Sequence, residues 1–395
     1  MTDPLGIDPV AERFGFAQRH LSAPAREALA EMDRIVAERI TPLMNDAWER
    51  AVMPDVVIGE LAALNLMAPD GVDPAEADST MFSGFRNFHL ARADASVATA
   101  YNGQSGLFRA VVRAGGSPEQ AAEWDPLVRS FEMRGAFALT EPEHGSDIAG
   151  GMSTLARRDG GEWIIDGAKR WIGGADAADV LAVFARGADD GSVKCFLVAR
   201  DAPGVSLETI RNKVSLRPVQ NSHITLDGVR VSEARRLQRV NSWRDVAGLL
   251  RGMRSDVAFV AAGAAAGALD AAVRYTRERK QFGRPIGGFQ LVQEKLARML
   301  GNATSSLALA VELAAAQDAG TFSDENAALA KMVTAERARE NGRLAREAMG
   351  GNGILLDNDA ARFFADAEAI YSYEGTHEIN ALIVGRSLTG ESAFV

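Results

Sequence analysis

The 395 residues are 47% hydrophobic and 24% charged, with a formal net charge of −10, the composition of an ordinary soluble globular chain. Acidic and basic residues alternate on short scales, which leaves no polybasic tract to grip a nucleic-acid backbone. The single cysteine, Cys195, excludes an internal disulfide and any multi-cysteine metal or iron–sulfur site. It lies in an apolar strand-like run, reads as a small buried hydrophobe, and fits a reducing cytoplasm.

The first residues lack both the positive and the apolar region of a secretory signal. Ala25–Ile40 places Leu29, Met32, Ile35 and Val36 on one helix face, and Pro54–Leu66 and Phe82–Gly115 read similarly. Together they predict an N-terminal helical domain over residues 1–133. From 134 to 240 short apolar runs alternate with turn clusters, which predicts a small antiparallel middle β-domain. The runs are Ala136–Thr140, Trp163–Asp166, Val180–Ala185, Cys195–Ala199 and His223–Leu226. From 241 to 395 long amphipathic patterns predict a C-terminal helical bundle, so the fold class is α+β. The longest uncharged apolar run, Val257–Leu269, is too short and too weakly hydrophobic to span a bilayer. Its Ala and Gly content suggests a helix packed closely on its neighbours.

Five stretches carry chemistry. Ala138 to Asp147 leaves a strand for a Gly/Ser-rich turn, where backbone N–H groups and the Thr140 and Ser146 hydroxyls suit an anion; a plain tight connection is the alternative. In Asp166 to Gly174, Trp171 beside paired glycines suits a flat ring, or is a core Trp at a hairpin end. Arg277 to Ile286 ends a helix with arginines that suit phosphate, or that simply answer the helix dipole. Glu347 to Ile354 packs three glycines into four residues, a helix stop with exposed N–H groups or a simple C-cap. Tyr371 to Asn380 sets Glu374 between an aromatic and a glycine, ahead of a possible N-cap at Thr376. An apolar site there would raise its pKa toward the range useful for proton abstraction; a solvated loop glutamate is the plain reading.

In order and spacing these five stretches resemble the motifs of the acyl-CoA dehydrogenases, from about residue 25 to the C-terminus. The fourth matches from Glu347 through Asp366, and the first departs only at His144, where the family usually has a small residue. Tyr373–Glu378, Leu388–Phe394 and Asn212–Arg217 look most like the glutaryl-CoA dehydrogenase branch. The resemblance implies that the C-terminal domain is a four-helix bundle. It also implies FAD as cofactor, an acyl-CoA substrate, a homodimer or homotetramer, and an electron-transfer flavoprotein as partner. It implies that Glu374 removes the α-proton while flavin N5 accepts hydride from the β-carbon. Leu139, Thr140, Ser146, Trp171 and Ile172 would meet the flavin. Arg279, Gln281, Phe282, Gln290, Glu347, Gly350 and Gly351 would reach a neighbouring subunit's FAD, and Thr376, Glu378 and Phe394 would complete the site. Arg254, Tyr373, Gly375 and Ser146 would lie along the substrate. Ala98–Thr99 replace the Arg-Ser of the glutaryl-specific enzymes, which predicts an uncharged acyl group. An acyl-CoA oxidase, a silent structural relative and a DNA-binding relative are the rivals; the acidic balance disfavours the last.

Overall fold

The computed structural model describes residues 13–392. Helices α1 (Phe16–His20), α2 (Ala23–Ile35), α3 (Met44–Arg50), α4 (Asp55–Ala63), α5 (Pro74–Ala77), α6 (Thr80–Ala93), α7 (Ala95–Asn102) and α8 (Pro118–Arg129) come first. Strands β1 (Gly135–Ala138), β2 (Leu155–Asp159), β3 (Glu162–Gly173), β4 (Val180–Gly187), β5 (Val193–Ala199), β6 (Val205–Thr209) and β7 (Asn221–Ser232) follow, with the short helix α9 (Ile148–Gly151) after β1. The long helices are α10 (Trp243–Glu278), α11 (Gln290–Asp318) and α12 (Asp324–Ala348), and α13 (Ala360–Ser372) and α14 (His377–Thr389) end the chain. A two-strand hairpin, β8 (Lys280–Gln281) and β9 (Arg284–Pro285), separates α10 from α11.

These elements form two compact units. One comprises the chain up to Thr99, Val214–Pro218 and the chain from Arg254 onward; the other comprises Ala100–Lys213 and Val219–Met253. The helical zones at the two ends of the sequence thus share one unit, and the last part of the N-terminal zone folds with the sheet.

In the first unit α6 and α10 cross at almost backbone contact. A Cβ on Gly263 would lie 2.2 Å from the Phe88 carbonyl oxygen, and one on Gly84 would lie 2.3 Å from the Phe259 ring. The Ala/Gly run therefore marks a close crossing, as expected. It is part of a 36-residue helix, longer than the run itself, and by length and composition both α10 and α11 could cross a membrane. In α10, however, 89% of the most apolar window is buried inside the protein.

The pattern over Phe82–Gly115 is not one helix. At Asp94 the backbone turns extended, with φ −162° and ψ 125°, because its carboxylate accepts from the N–H groups of Ser96 and Val97 and starts α7 anew. Two π-helical turns, Gly103–Phe108 and Val111–Gly115, then carry the chain to Ser117, whose reciprocal capping box with Gln120 opens α8.

In the second unit the sheet order is β1-β4-β2-β3-β7-β6, with β5 on β4. β2–β3, β3–β7, β4–β5 and β6–β7 pair antiparallel, as expected, whereas β1–β4 and β2–β4 are parallel. The parallel pairs correct a purely antiparallel reading. Intervening chain long enough to cross over lets β4 run alongside both earlier strands. β3 and β7 extend well past the predicted runs, since their antiparallel pairing continues from Glu162–Ser232 to Gly173–Asn221. β4 is buried on both faces, and its side chains divide between two apolar clusters.

Candidate active site

Glu374 stands in the turn between the end of α13 and the start of α14, in left-handed conformation with φ 53°, followed by Gly375 at φ 86°. A non-glycine residue holds that conformation only when its surroundings impose it. Here Lys331, fully buried on α12, donates to the carbonyls of Tyr371 and Gly375, both at 2.8 Å. Asn380, also fully buried, donates to the Gly375 and Thr376 carbonyls at 2.8 and 3.0 Å. Thr376 caps α14 by accepting from Ile379 N–H. Tyr371 stacks on His377, ring centroids 4.7 Å apart, and carries the Arg339 guanidinium on its ring.

Glu374 as a residue is half-buried, and the protein crowded around its carboxyl desolvates it and raises its pKa above the ordinary glutamate range. The positive charges of Arg254 and Lys331 oppose that rise and Asp256 adds to it. Asp256 is itself buried and pushed up to about 6, although Ser83 and Asn87 donate to it. Burial likewise raises the Tyr373 hydroxyl, whose neighbour is the Thr99 hydroxyl. Ala98 is fully buried. One unit thus brings Glu374, Arg254, Tyr373, Thr99 and Gly375 into a single neighbourhood. Lys331, Asn380 and Asp256 belong to it too, and sequence reasoning missed them. A lysine within a long helix reads as a solvated side chain, and only its position on the buried face between Ala327 and Thr334 could have signalled otherwise.

The other expected cofactor residues of this unit are on the surface. Phe282 is 93% exposed at the tip of the β8–β9 hairpin, with φ 51°, edge-on to Phe289; Arg279, Gln281 and Gln290 are exposed beside it. The sequence predicts a plain break between helices here, whereas Phe282–Gly283, both left-handed, form a two-residue hairpin turn. Glu347 is neutralised by Lys295 at 2.9 Å and Arg343 at 2.6 Å, which hold its carboxyl below the usual range. Gly350 is left-handed and opens the turn Gly350–Ile354, which contains Gly351. Glu378 is exposed, and Phe394 lies outside the described residues.

In the second unit the Thr140–Asp147 turn is clasped from below. Glu141, buried, pairs with buried Lys169 at 2.8 Å and accepts from Ser153 and Thr154, while Lys169 also donates to the Leu139 carbonyl. Burial pushes Glu141 up, but Lys169 and these donors outweigh it and hold the carboxyl at about 2; burial brings Lys169 down to about 8. His144 bonds Asp147 at 2.9 Å and lies over Gly151, where a Cβ would be 2.1 Å from its ring. The larger residue at 144 is thus accommodated by the glycine at 151. Arg170 N–H donates to the Thr140 carbonyl at 2.8 Å, which sets that turn beside Trp171.

Trp171 falls at an irregularity in the β3–β7 pairing, has φ 66°, and leaves its indole 52% exposed. A bulge that turns a large apolar plane to solvent beside a polar turn fits a flat, hydrogen-bonding ring such as a flavin. Ile172 is different: its side chain is buried in the sheet's apolar cluster, as is Leu139 in the other cluster, so each offers only backbone to a ligand. Ser146 is exposed in the turn.

Three family models match consecutive segments: the N-terminal domain of acyl-CoA dehydrogenases over residues 22–132, the middle domain over 136–229 and the C-terminal domain over 243–389. The mitochondrial short-chain specific acyl-CoA dehydrogenase of Bos taurus is 31% identical over 335 residues, 84% of this chain and 81% of that protein. A 3-(aryl)acrylate reductase of Clostridium sporogenes is 30% identical over 376 residues, 92% of this chain and 98% of that protein. The crystal structure of a glutaryl-CoA dehydrogenase from Mycobacterium smegmatis in complex with FADH2 superimposes with a TM-score of 0.91 at 32% identity, covering 98% of this chain and all of that one. Matched along almost its whole length by all three domain models, the chain belongs to the acyl-CoA dehydrogenase family.

Proposed function

We propose that this chain performs FAD-dependent α,β-dehydrogenation of an acyl-CoA thioester, with Glu374 as the base that takes the α-proton. The observation that carries the assignment is the Glu374 turn itself: a desolvated carboxyl of raised pKa, on a left-handed residue fixed from both sides, facing Arg254. The α-proton of a thioester is weakly acidic, so a base of ordinary carboxylate strength is a poor match, and desolvation strengthens it. Arg254 and Lys331 keep enough positive charge nearby for the carboxylate to form before it acts.

FAD, when bound, supplies the hydride acceptor. Trp171, Thr140 and Ser146 on the second unit suit its ring and phosphates, and the clasp of Glu141 and Lys169 keeps their turn rigid. An electron-transfer flavoprotein would be the partner that receives the electrons, a reading that rests on the family resemblance. The acyl group is uncharged, because Ala98 supplies neither charge nor donor. The exposed Arg279, Gln281, Phe282, Gln290 and the Glu347–Gly351 turn serve a neighbouring subunit's FAD. The setting is cytoplasmic.

Glu374→Gln tests the base. The FAD-loaded variant should stay yellow and bind enoyl-CoA, while anaerobic bleaching by a panel of acyl-CoAs, butyryl-CoA first, falls by at least ~10²–10⁴-fold, the span general-base catalysis provides. Bleaching at the unaltered rate would sink the assignment.

A further inference from the structure

We infer that Lys331 is a positioning residue for the base: its ammonium fixes the turn that carries Glu374 and supplies a positive charge that faces the carboxylate. The inference rests on Glu374 being the base, and deepens that reading.

Lys331 is fully buried, and its hydrogen-bond partners among the described residues are two neutral carbonyls, those of Tyr371 and Gly375. They bracket Glu374 on the chain, so one ammonium ties the last turn of α13 to the residue just past the base. Carbonyls at a helix C-terminus carry partial negative charge and favour a cation there. Asn380 shares the Gly375 carbonyl, which makes the downstream side of the turn doubly held. The left-handed backbone of Glu374 needs such over-determination to persist.

Hydrogen bonding alone does not explain a lysine. Burying an ammonium without a carboxylate in contact is costly, and burial here lowers Lys331 to about 8. The charge is held in part by Glu374 and Glu378, against the repulsion of Arg254. A neutral donor would close the same turn without that cost. What the charge adds is felt at Glu374, where Lys331 and Arg254 work against burial and against Asp256. The groups that face the base are thus Arg254 and Asp256 on α10, Lys331 on α12, and Tyr373 within the turn, with Glu378 on α14 facing Lys331.

The test uses FAD-loaded Lys331→Met, Lys331→Gln and Glu374→Gln, with butyryl-CoA as the probe. Limiting rates of anaerobic flavin bleaching and the half-saturating butyryl-CoA concentration are followed from pH 5.5 to 9, alongside flavin content. Lys331→Met should lose on the order of 10- to 100-fold in limiting rate through misplacement of the base, with half-saturation nearly unchanged. Its acid limb should move up by about one pH unit, because an opposite charge near Glu374 is gone. Lys331→Gln, which still donates, should recover part of the rate but keep the displaced limb. An acid limb at the wild-type position in either folded variant overturns the inference. Failure of both variants to fold or hold FAD also overturns it, because Lys331 would then be a purely structural residue. Wild-type bleaching by Glu374→Gln would instead overturn the base assignment itself, so the two failures are distinguishable.

Discussion

Ala98 and Thr99 lie on α7, the first wholly enclosed and the second with its hydroxyl against Tyr373. Family resemblance puts them where glutaryl-specific enzymes carry an arginine and a serine. Arg92, the nearest arginine upstream on α6, does not substitute, because its Nε donates to Asp270 on α10 at 2.5 Å. A substrate carboxylate beside Ala98 would find neither charge nor donor on that residue, and a carboxylate left unpaired costs several kcal/mol, roughly a hundredfold or more in affinity. Glutaryl-CoA should therefore be turned over at least about a hundredfold less efficiently than butyryl-CoA in a dye-coupled assay of kcat/KM. Efficient conversion of glutaryl-CoA with release of CO₂ would contradict this reading of residue 98.

Between elements, Asp366 joins four pieces of the first unit. Its carboxylate, on α13, accepts from Trp48 Nε1 on α3 at 3.1 Å, Ser96 Oγ on α7 at 3.1 Å, and Leu216 N–H in the Val214–Pro218 segment at 2.6 Å. Burial, reinforced by neighbouring Asp94, outweighs these donors and pushes Asp366 up to about 7. The folded state then binds more protons than the unfolded chain between about pH 4 and 7, so stability is greater on the acid side and falls as pH rises through 7. Asp94, also raised, acts in the same direction. From pH 5.5 to 8 the Asp366 contribution should cost on the order of 2 kcal/mol. Denaturant unfolding at the two pH values reads it directly. Asp366→Asn should flatten the dependence, and an unchanged slope in that variant would show that the titrating group lies elsewhere.

For the molecule as a whole, the described surface displays apolar side chains that a lone soluble chain would be expected to cover. Phe282 is 93% exposed, Leu388 81%, Leu291 79% and Ile354 69%, and exposed apolar groups of this size mark docking faces when they cluster. Three of them fall in or beside the stretches that family resemblance assigns to a neighbour's FAD. The FAD-loaded protein should therefore be a homodimer or homotetramer by light scattering. Arg279→Ala should lower the ratio of flavin to protein, since a guanidinium at the hairpin base suits a pyrophosphate. A monomer that retains stoichiometric FAD would refute the composite site.

The order of helical, β and helical zones was legible because periodicity reports directly on which face of an element is buried. Glu374 was legible because its neighbours from Tyr371 to Asn380 form one local motif. The break at Asp94 is not legible in the apolar pattern of Phe82–Gly115, because it comes from a side-chain cap on the Ser96 and Val97 N–H groups. Trp171 was singled out, but its outward, left-handed placement comes from the slipped register against β7, a long-range pairing. Ile172 beside it was expected at the ring and instead faces the core for the same reason. Lys331 shows the limit most clearly. Its two acceptors lie 40 and 44 residues away in sequence. Within its own helix it is simply a lysine. Residue pattern alone thus determined the order of zones and the family, and singled out Glu374 as the candidate base, all from neighbours a few positions apart. Tertiary packing decided which buried charges meet that base, since burial and counter-charge arise only when distant segments close around the same few atoms.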